Sequence, residues 1–293
     1  MAEYSEIADL IRQSDSKFSK SQRRIAEYIT QHYDRAAFMT AAKLGRVVNV
    51  SESTVVRFAS ELGYEGYPEF QRALREIVKN RLTSVQRMEL TSSKIGDSDV
   101  LKKVIQSDIE KLRQTLDTVS GADFEHTVDC ITSAKNVYIL GARTCFSVAS
   151  FLNVYLNMLL PDVRLVTANS AGEVFEQMYR INSDDVLIAI SYPRYSRRTF
   201  NGVKFAAERG AKVIAITDSE VSPIVDYAEC TLIAGCDMGN FVDSLVAPLS
   251  LVNALIVALV IRDKENAART FESLEDIWKQ YKVYRRDDDA PDK

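Results

Sequence analysis

At 293 residues the chain is long enough for two domains and a sizeable core. Its 46% hydrophobic and 27% charged residues are ordinary for a globular protein and exclude a low-complexity or fibrous chain. The net charge of −4 carries no nucleic-acid signal by itself, but residues 1–90 hold 14 basic and 12 acidic side chains and the rest 23 and 29, so a mildly basic head precedes an acidic body.

Residues 4–14 read as a short amphipathic helix. A stronger helix begins at Ser16 or Ser19 and runs to about Tyr33, with Ile25, Tyr28 and Ile29 on its inner face. Thr40 opens TAAKLGRVVNVSESTVVRFASELGY, which predicts a helix near Ala41–Val48, a tight turn at Asn49–Val50 and a second helix capped by Ser51. Gly45 suits a close helix crossing. Asn49 tolerates the positive φ that such a turn needs, and Val50 and Val55 plug the angle between the helices. The outward face of the second helix then offers Glu52, Ser53, Thr54, Arg57 and Ser60, and with the cap residue Ser51 these suit the major groove.

Pro68 is expected to start a helix through roughly Leu90. Its Arg72, Arg75, Lys79, Arg81 and Arg87 either reach phosphates or form a solvated face, because Glu69, Glu76 and Glu89 are interleaved. The first domain is thus placed at 1–90. Residues 91–99 (TSSKIGDSD) read as linker, and Asp99–Val119 as a long amphipathic helix with Val104, Ile105, Ile109, Leu112 and Leu116 on one face. Together these make a connecting region, 91–122, whose helix docks on its own domain or on a partner subunit.

The second domain is expected at 123–282, opening with a helix from Asp123 to Ser133 that contains His126. Five apolar stretches read as strands: Asn136–Gly141, Val163–Ala168, Val186–Ile190, Val213–Ile216 and Cys230–Ala234. Helices are expected between them and after the last, at Phe241–Arg262 and Glu265–Tyr281. Leu245–Ile261 is strongly apolar but short for a membrane span and interrupted by Pro248, Ser250 and Asn253, so it reads as a buried helix and no membrane partner is expected. The tail, 283–293, reads as disordered. Cys130, Cys145, Cys230 and Cys236 form no CxxC pair and there are two histidines, so neither a zinc site nor any cofactor is expected. No signal-peptide pattern precedes the first helix, which makes a reducing cytoplasm the expected location.

Asp185–Thr217 is the most informative stretch of the second domain: strand, polar loop, helix closed by Gly210, strand. Two apolar strands joined by a helix make a right-handed βαβ unit. Such sheets bind ligands beyond the carboxyl ends of their strands, at helix N-termini. Ser191, Arg194, Ser196, Arg197, Arg198 and Thr199 lie there, and hydroxyls beside guanidinium groups suit an anion, a phosphate above all. Gly141 permits close backbone approach at the end of the first strand, where Arg143, Thr144 and Cys145 follow. Neither GxGxxG nor GxxxxGK[ST] is present, which disfavours a nucleotide.

With these stretches in hand the chain resembles the RpiR family of bacterial transcription regulators. FSKSQRRIAEYI through VSESTVVRFASELGYEGYPEF is similar to that family's helix-turn-helix domain. VYILGARTC, VLIAISYPRYSRRT, RGAKVIAITD and DSLVAPLSLVNALIVAL are similar to a SIS (sugar isomerase) domain. The resemblance covers roughly residues 1–265. It implies an all-α helix-turn-helix domain followed by an α/β flavodoxin-like domain with a five-stranded parallel sheet. It also implies a small anionic sugar-derived effector, a double-stranded DNA operator expected to be palindromic, and assembly as a homodimer or homotetramer. SIS domains often carry Ser-x-Ser-Gly-x-Thr in the phosphate loop. Ser196 to Thr199 match its last four positions with Arg197 replacing glycine, and Ser191 matches the first serine across three extra residues. The resemblance further places Cys145 where a serine is usual and Ser244, in DSLVAP, near the ligand. The expected function is a ligand-controlled DNA-binding regulator. The alternative is a SIS-type sugar-phosphate isomerase or lyase with an added helical domain, for which Glu173 is the candidate base.

Overall fold

The computed structural model describes residues 10–79, 83–96, 98–167, 170–236 and 242–284. Most of the first expected helix and the tail beyond 284 therefore lie outside the described residues, as do Arg81 and Ala168. The chain divides into two compact units, with the boundary between Asp97 and Ser98.

The first unit is all-helical. Residues 10–14 (α1) lead through a 3-10 turn to α2 (Lys20–Gln31), α3 (Tyr33–Ala36), α4 (Ala41–Val47), α5 (Glu52–Glu61), α6 (Tyr67–Lys79) and α7 (Ser84–Ile95). Several starts are written in the sequence. Ser19 and Gln22 form a reciprocal capping box, and Thr40 and Ser51 accept hydrogen bonds from Lys43 N and Thr54 N. Ile25, Ile29, Leu44, Val55, Phe58, Phe70 and Leu74 close the core, and Phe58 meets the Phe18 and Phe70 rings at 5.1 and 5.9 Å.

Two expectations for this unit need correction. The helix begun near Pro68 does not run unbroken to Leu90: Thr83 caps a new helix with its own capping box, and that helix continues to Ile95, so most of the supposed linker is helical. The capping pattern T-x-x-Q at Thr83–Gln86 encodes that restart. Nor do the arginines form one exposed stripe. Arg75 donates to the carbonyl of Ala37 at 2.9 Å and covers the Phe38 ring, and Arg87 is buried. Arg75 thus braces the start of the Phe38 turn although it, like Arg72, is exposed.

The second unit is a three-layer α/β fold. α8 (Val100–Thr118) and α9 (Gly121–Ser133) precede β1 (Val137–Gly141), α10 (Cys145–Leu159), β2 (Val163–Leu165), α11 (Ala171–Met178), β3 (Val186–Ile190), α12 (Arg197–Glu208), β4 (Lys212–Thr217), β5 (Cys230–Ile233), α13 (Val246–Arg262) and α14 (Lys264–Gln280). The five strands are all parallel, in the order β2-β1-β3-β4-β5. β1 and β3 are buried at every position, which is why they read as continuous apolar runs rather than alternating ones. Asp185 fixes their register: its buried carboxylate accepts from Asn136 Nδ2 at 2.6 Å and from Asn182 N and Nδ2 at 3.0 and 3.1 Å. Helix α12 lies close on the sheet because Gly202 has no side chain; a Cβ there would stand 2.6 Å from Leu140.

Among the described residues no single helix is long and apolar enough to cross a membrane. The apolar α13 buries Ala247, Leu251, Val252, Leu255, Ile256 and Leu259 and meets α14 at a bend of 102°. The apolar face expected on α8 is split. Val104 and Leu112 turn inward with Thr115, whereas Ile105, Ile109 and Leu116 stay exposed, because polar anchors set the helix's rotation.

Candidate functional site

The first candidate surface is the turn between α4 and α5. Asn49 adopts φ 55°, the left-handed conformation the turn requires. Val50 N donates back to Gly45 O at 2.8 Å, and a Cβ on Gly45 would stand 2.8 Å from Val50 O. The two helices therefore meet backbone to backbone. Val55 is fully buried beneath the turn. This leaves Ser51, Glu52, Ser53 and Arg57 exposed on α5, with Thr54 half-buried. Ser51 Oγ lies 2.9 Å from Ser53 Oγ and 2.7 Å from Thr54 Oγ1, so the three hydroxyls form a cluster at the helix N-terminus. Arg24 of α2 was not singled out from the sequence. Its guanidinium donates to Asn49 O at 3.1 Å and adds an exposed cation beside the turn. The clue was the basic pair Arg23–Arg24, which helical periodicity alone assigns to a solvated face.

The second candidate is the carboxyl edge of the sheet. Between β1 and β3 the strand order reverses, and the crevice of such a sheet opens there. Pairing Gly141 with Ile190 sets the loop bearing Arg143, Thr144 and Cys145 beside the loop from Ser191 to Ser196. A Cβ on Gly141 would stand 2.7 Å from Cys145 O, so glycine is what lets α10 begin so near the strand end. Arg143 and Arg194 each hold positive φ, 59° and 61°. Both are exposed, as are Thr144 and Arg197.

Ser191 is buried, with its N–H on Ile216 O at 3.1 Å and its carbonyl accepting from Thr217 Oγ1 at 2.7 Å. Ser196 begins α12, but its side chain makes no capping bond, leaving the helix's first N–H groups without that partner. The hydroxyls of Thr199, Tyr192, Ser219 and Ser222 are buried with no hydrogen-bond partner. Burial of a polar group without a partner is unfavourable, and these four lie together beyond the ends of β3 and β4. Burial pushes the Tyr192 hydroxyl well above its ordinary pKa and the Cys145 thiol up to about 11, so both are neutral donors at neutral pH. Tyr192, Ser219 and Ser222 escaped sequence reasoning, since lone hydroxyls in loops carry no spacing signal.

Ser244 has a different neighbour. Its Oγ donates to Asp108 Oδ1 of α8 at 2.6 Å, and Thr115 Oγ1 of α8 accepts from Gly235 N at 2.8 Å. Helix α8 is thereby fastened to the segment that follows β5. His126 is remote from this edge: it pairs with Glu229 at 3.2 Å, at the amino end of β5. Glu173 sits in the first turn of α11, where its N–H bonds to Ser170 Oγ.

A helix-turn-helix unit followed by a five-stranded parallel-sheet domain is the arrangement of a transcription regulator with a sugar-isomerase-type domain. Residues 5–81 match the helix-turn-helix domain of the rpiR family and residues 130–258 match the SIS domain. The chain belongs to the RpiR family of transcription regulators. It is 24% identical over 92% of its length to an HTH-type transcriptional regulator of Haemophilus influenzae, covering 95% of that protein. It is 26% identical to the regulator HexR of Escherichia coli, over 88% of this chain and 90% of HexR. Among solved structures, the sugar isomerase domain of an RpiR transcription factor from Sphaerobacter thermophilus shares 29% identity and a TM-score of 0.58. That match covers 61% of this chain and 99% of that one. Vibrio vulnificus NanR, solved with ManNAc-6P, shares the fold at 22% identity and a TM-score of 0.58, over 92% and 98% of the two chains.

Proposed function

We propose that this regulator binds DNA through the face of α5 and a phosphorylated sugar or sugar acid at the carboxyl edge of its sheet, and that the ligand sets the DNA affinity. The observation that carries the ligand half is the set of buried, unpartnered hydroxyls of Thr199, Tyr192, Ser219 and Ser222 beside the uncapped start of α12. Helix-end N–H groups and hydroxyls suit a phosphate, and Arg143, Arg194 and Arg197 supply charge around it. NanR's complex with ManNAc-6P supports the ligand class. Four curated relatives carry regulator names, which favours this reading over an isomerase.

The ligand can shift DNA affinity only by as much as it prefers one arrangement of the protein over another. Helix α8 is the proposed transmitter. It follows the first unit directly in the chain, and Asp108 and Thr115 fasten it to residues on either side of the loop after β5. The test measures binding to an operator duplex selected from a random library, with and without each member of a phosphosugar and sugar-acid panel. One member is expected to change the affinity several-fold. Arg57→Ala should weaken DNA binding in either condition by about 1–3 kcal/mol, the usual worth of an arginine–guanine pair. An unchanged Arg57→Ala complex sinks the α5 contact, and indifference to the whole panel sinks the coupling.

Assembly as a symmetric dimer or tetramer on a palindromic operator is part of the same proposal. Val154, Tyr155, Val257 and Ile261 are exposed on α10 and α13, as are Leu101, Ile105 and Leu116 on α8, which is more apolar surface than a lone domain needs. Dimeric helix-turn-helix proteins read paired half-sites. Sedimentation at micromolar concentration should show at least two chains per particle; a monomer overturns both the assembly and the palindrome.

A further inference from the structure

Sequence spacing offers no metal motif, yet the fold gathers His126, Cys130 and Cys230 so that their Nε2 and Sγ atoms all lie within 4.8 Å of one another. His126 and Cys130 share a face of α9 because they are four residues apart, and Cys230 is the first residue of β5, against which that helix packs. Glu229, one residue earlier, brings Oε1 to 3.2 Å from His126 Nε2.

We propose that His126, Cys130 and Cys230 form a three-donor site for a divalent transition ion of the zinc class, with solvent in the fourth position and Glu229 beside the imidazole. Two thiolates and an imidazole are zinc donors, and three protein ligands with an open fourth position are a recurrent tetrahedral arrangement. Ideal bond lengths place the donors of such a site about 3.3–3.8 Å apart. The observed 3.9 Å between His126 Nε2 and Cys130 Sγ is close to that spacing, and all three donors lie within 4.8 Å of one another. The sulfur side is buried while His126 and Glu229 are about half exposed, so an ion has an entry path from solvent and a dry floor to rest on. Binding replaces the two thiol protons, which leave to solvent, and the ion is held by Cys130 Sγ⁻, Cys230 Sγ⁻ and neutral His126 Nε2, with a water in the fourth position. The site lies at the amino end of β5, on the opposite edge of the sheet from the proposed ligand crevice. An ion there ties α9, the helix that follows α8, to the sheet.

The reading that opposes this is two core cysteines beside a solvent-screened surface ion pair. The test uses the full-length chain, reduced and stripped of metal, titrated with Co²⁺ and then Zn²⁺. One equivalent of cobalt per chain should bring thiolate-to-cobalt charge-transfer absorption, and zinc should abolish it. Cys130→Ser/Cys230→Ser should lose the band, and Cys236→Ser should keep it. His126→Gln changes a half-exposed side chain, so folding is not at risk, and it should weaken uptake at least about tenfold, since even losing an outer-shell partner costs 10–100-fold. A spectrum without the band, or one unaltered by the double cysteine or His126→Gln variants, overturns the site. So does a Cys130–Cys230 disulfide in oxidised protein together with no cobalt uptake after reduction, which makes the pair a redox couple instead.

Discussion

Ser196→Ala/Thr199→Ala is expected to bind the effector about 10- to 150-fold more weakly than the wild type. That range corresponds to losing about 1.5–3 kcal/mol, the worth of one charge-assisted hydrogen bond in a buried site. The stability of the free protein should move the other way. Thr199 Oγ1 is buried without a partner, so in the empty protein it is a net penalty that the ligand relieves. Thr199→Val keeps the shape and removes that hydroxyl, and should leave the unliganded protein as stable as the wild type or more so. A residue placed merely for packing gives no such opposition of signs. Calorimetry with the best ligand from the panel, paired with thermal unfolding in its absence, reads both quantities. Equal ligand affinity in the double alanine variant would reject the site. A Thr199→Val chain markedly less stable than wild type would show that the hydroxyl has a structural partner.

Gly45→Val is expected to abolish specific DNA binding while leaving the sheet domain folded. The new Cβ would stand 2.8 Å from the carbonyl oxygen of Val50 and 3.4 Å from the carbonyl carbon of Ser51. Neither is a side chain able to rotate away. Val50 is tied back to Gly45 O, and Asn49 already occupies the left-handed conformation. Relief must come from moving α5 away from α4, at about 1–3 kcal/mol. In Gly45→Ala two effects oppose: alanine gains about 1 kcal/mol of helix propensity, and the same clash takes it back. Its net stability change should be small, yet α5 is still displaced and DNA affinity should still fall. Valine gains less propensity than alanine and adds two methyl groups to the clash, so both readouts should fall. Operator binding by Gly45→Val as tight as the wild type would show that the close approach of α4 to the turn has no part in presenting α5.

Much of the molecule was legible along the chain because the physics there is local. Caps at Ser19, Thr40, Ser51 and Ser170 are side-chain to backbone bonds within three residues, and a reader of sequence sees both partners. The strands were visible because a parallel sheet buried on both faces demands unbroken apolar runs. Asn49 and Gly210 were visible because few residues tolerate positive φ, which they adopt at 55° and 83°. The placement of Arg143, Ser191 and Ser196 along one edge followed from the βαβ rule before any coordinates.

What the tertiary structure decided is what depends on partners distant in sequence. Arg75 reads from the sequence as either a phosphate contact or a solvated face, and only the packing brings Ala37 O to 2.9 Å from its guanidinium. That Ser244 Oγ bonds to Asp108, 136 positions earlier, has no signal in the sequence. The rotation of α8 was misjudged because Asp108 and Thr115, each holding a distant partner, turn Ile105 and Leu116 outward against their hydrophobicity. Tyr192, Ser219 and Ser222 carry no pattern, and only their burial without partners sets them apart from other loop hydroxyls. His126, Cys130 and Cys230 span a hundred residues with no motif spacing, and converge because α9 packs on β5. Periodicity and capping are properties of a segment and are fixed by its own residues, whereas a convergent set of donors is a property of the packing and exists only once the segments have met.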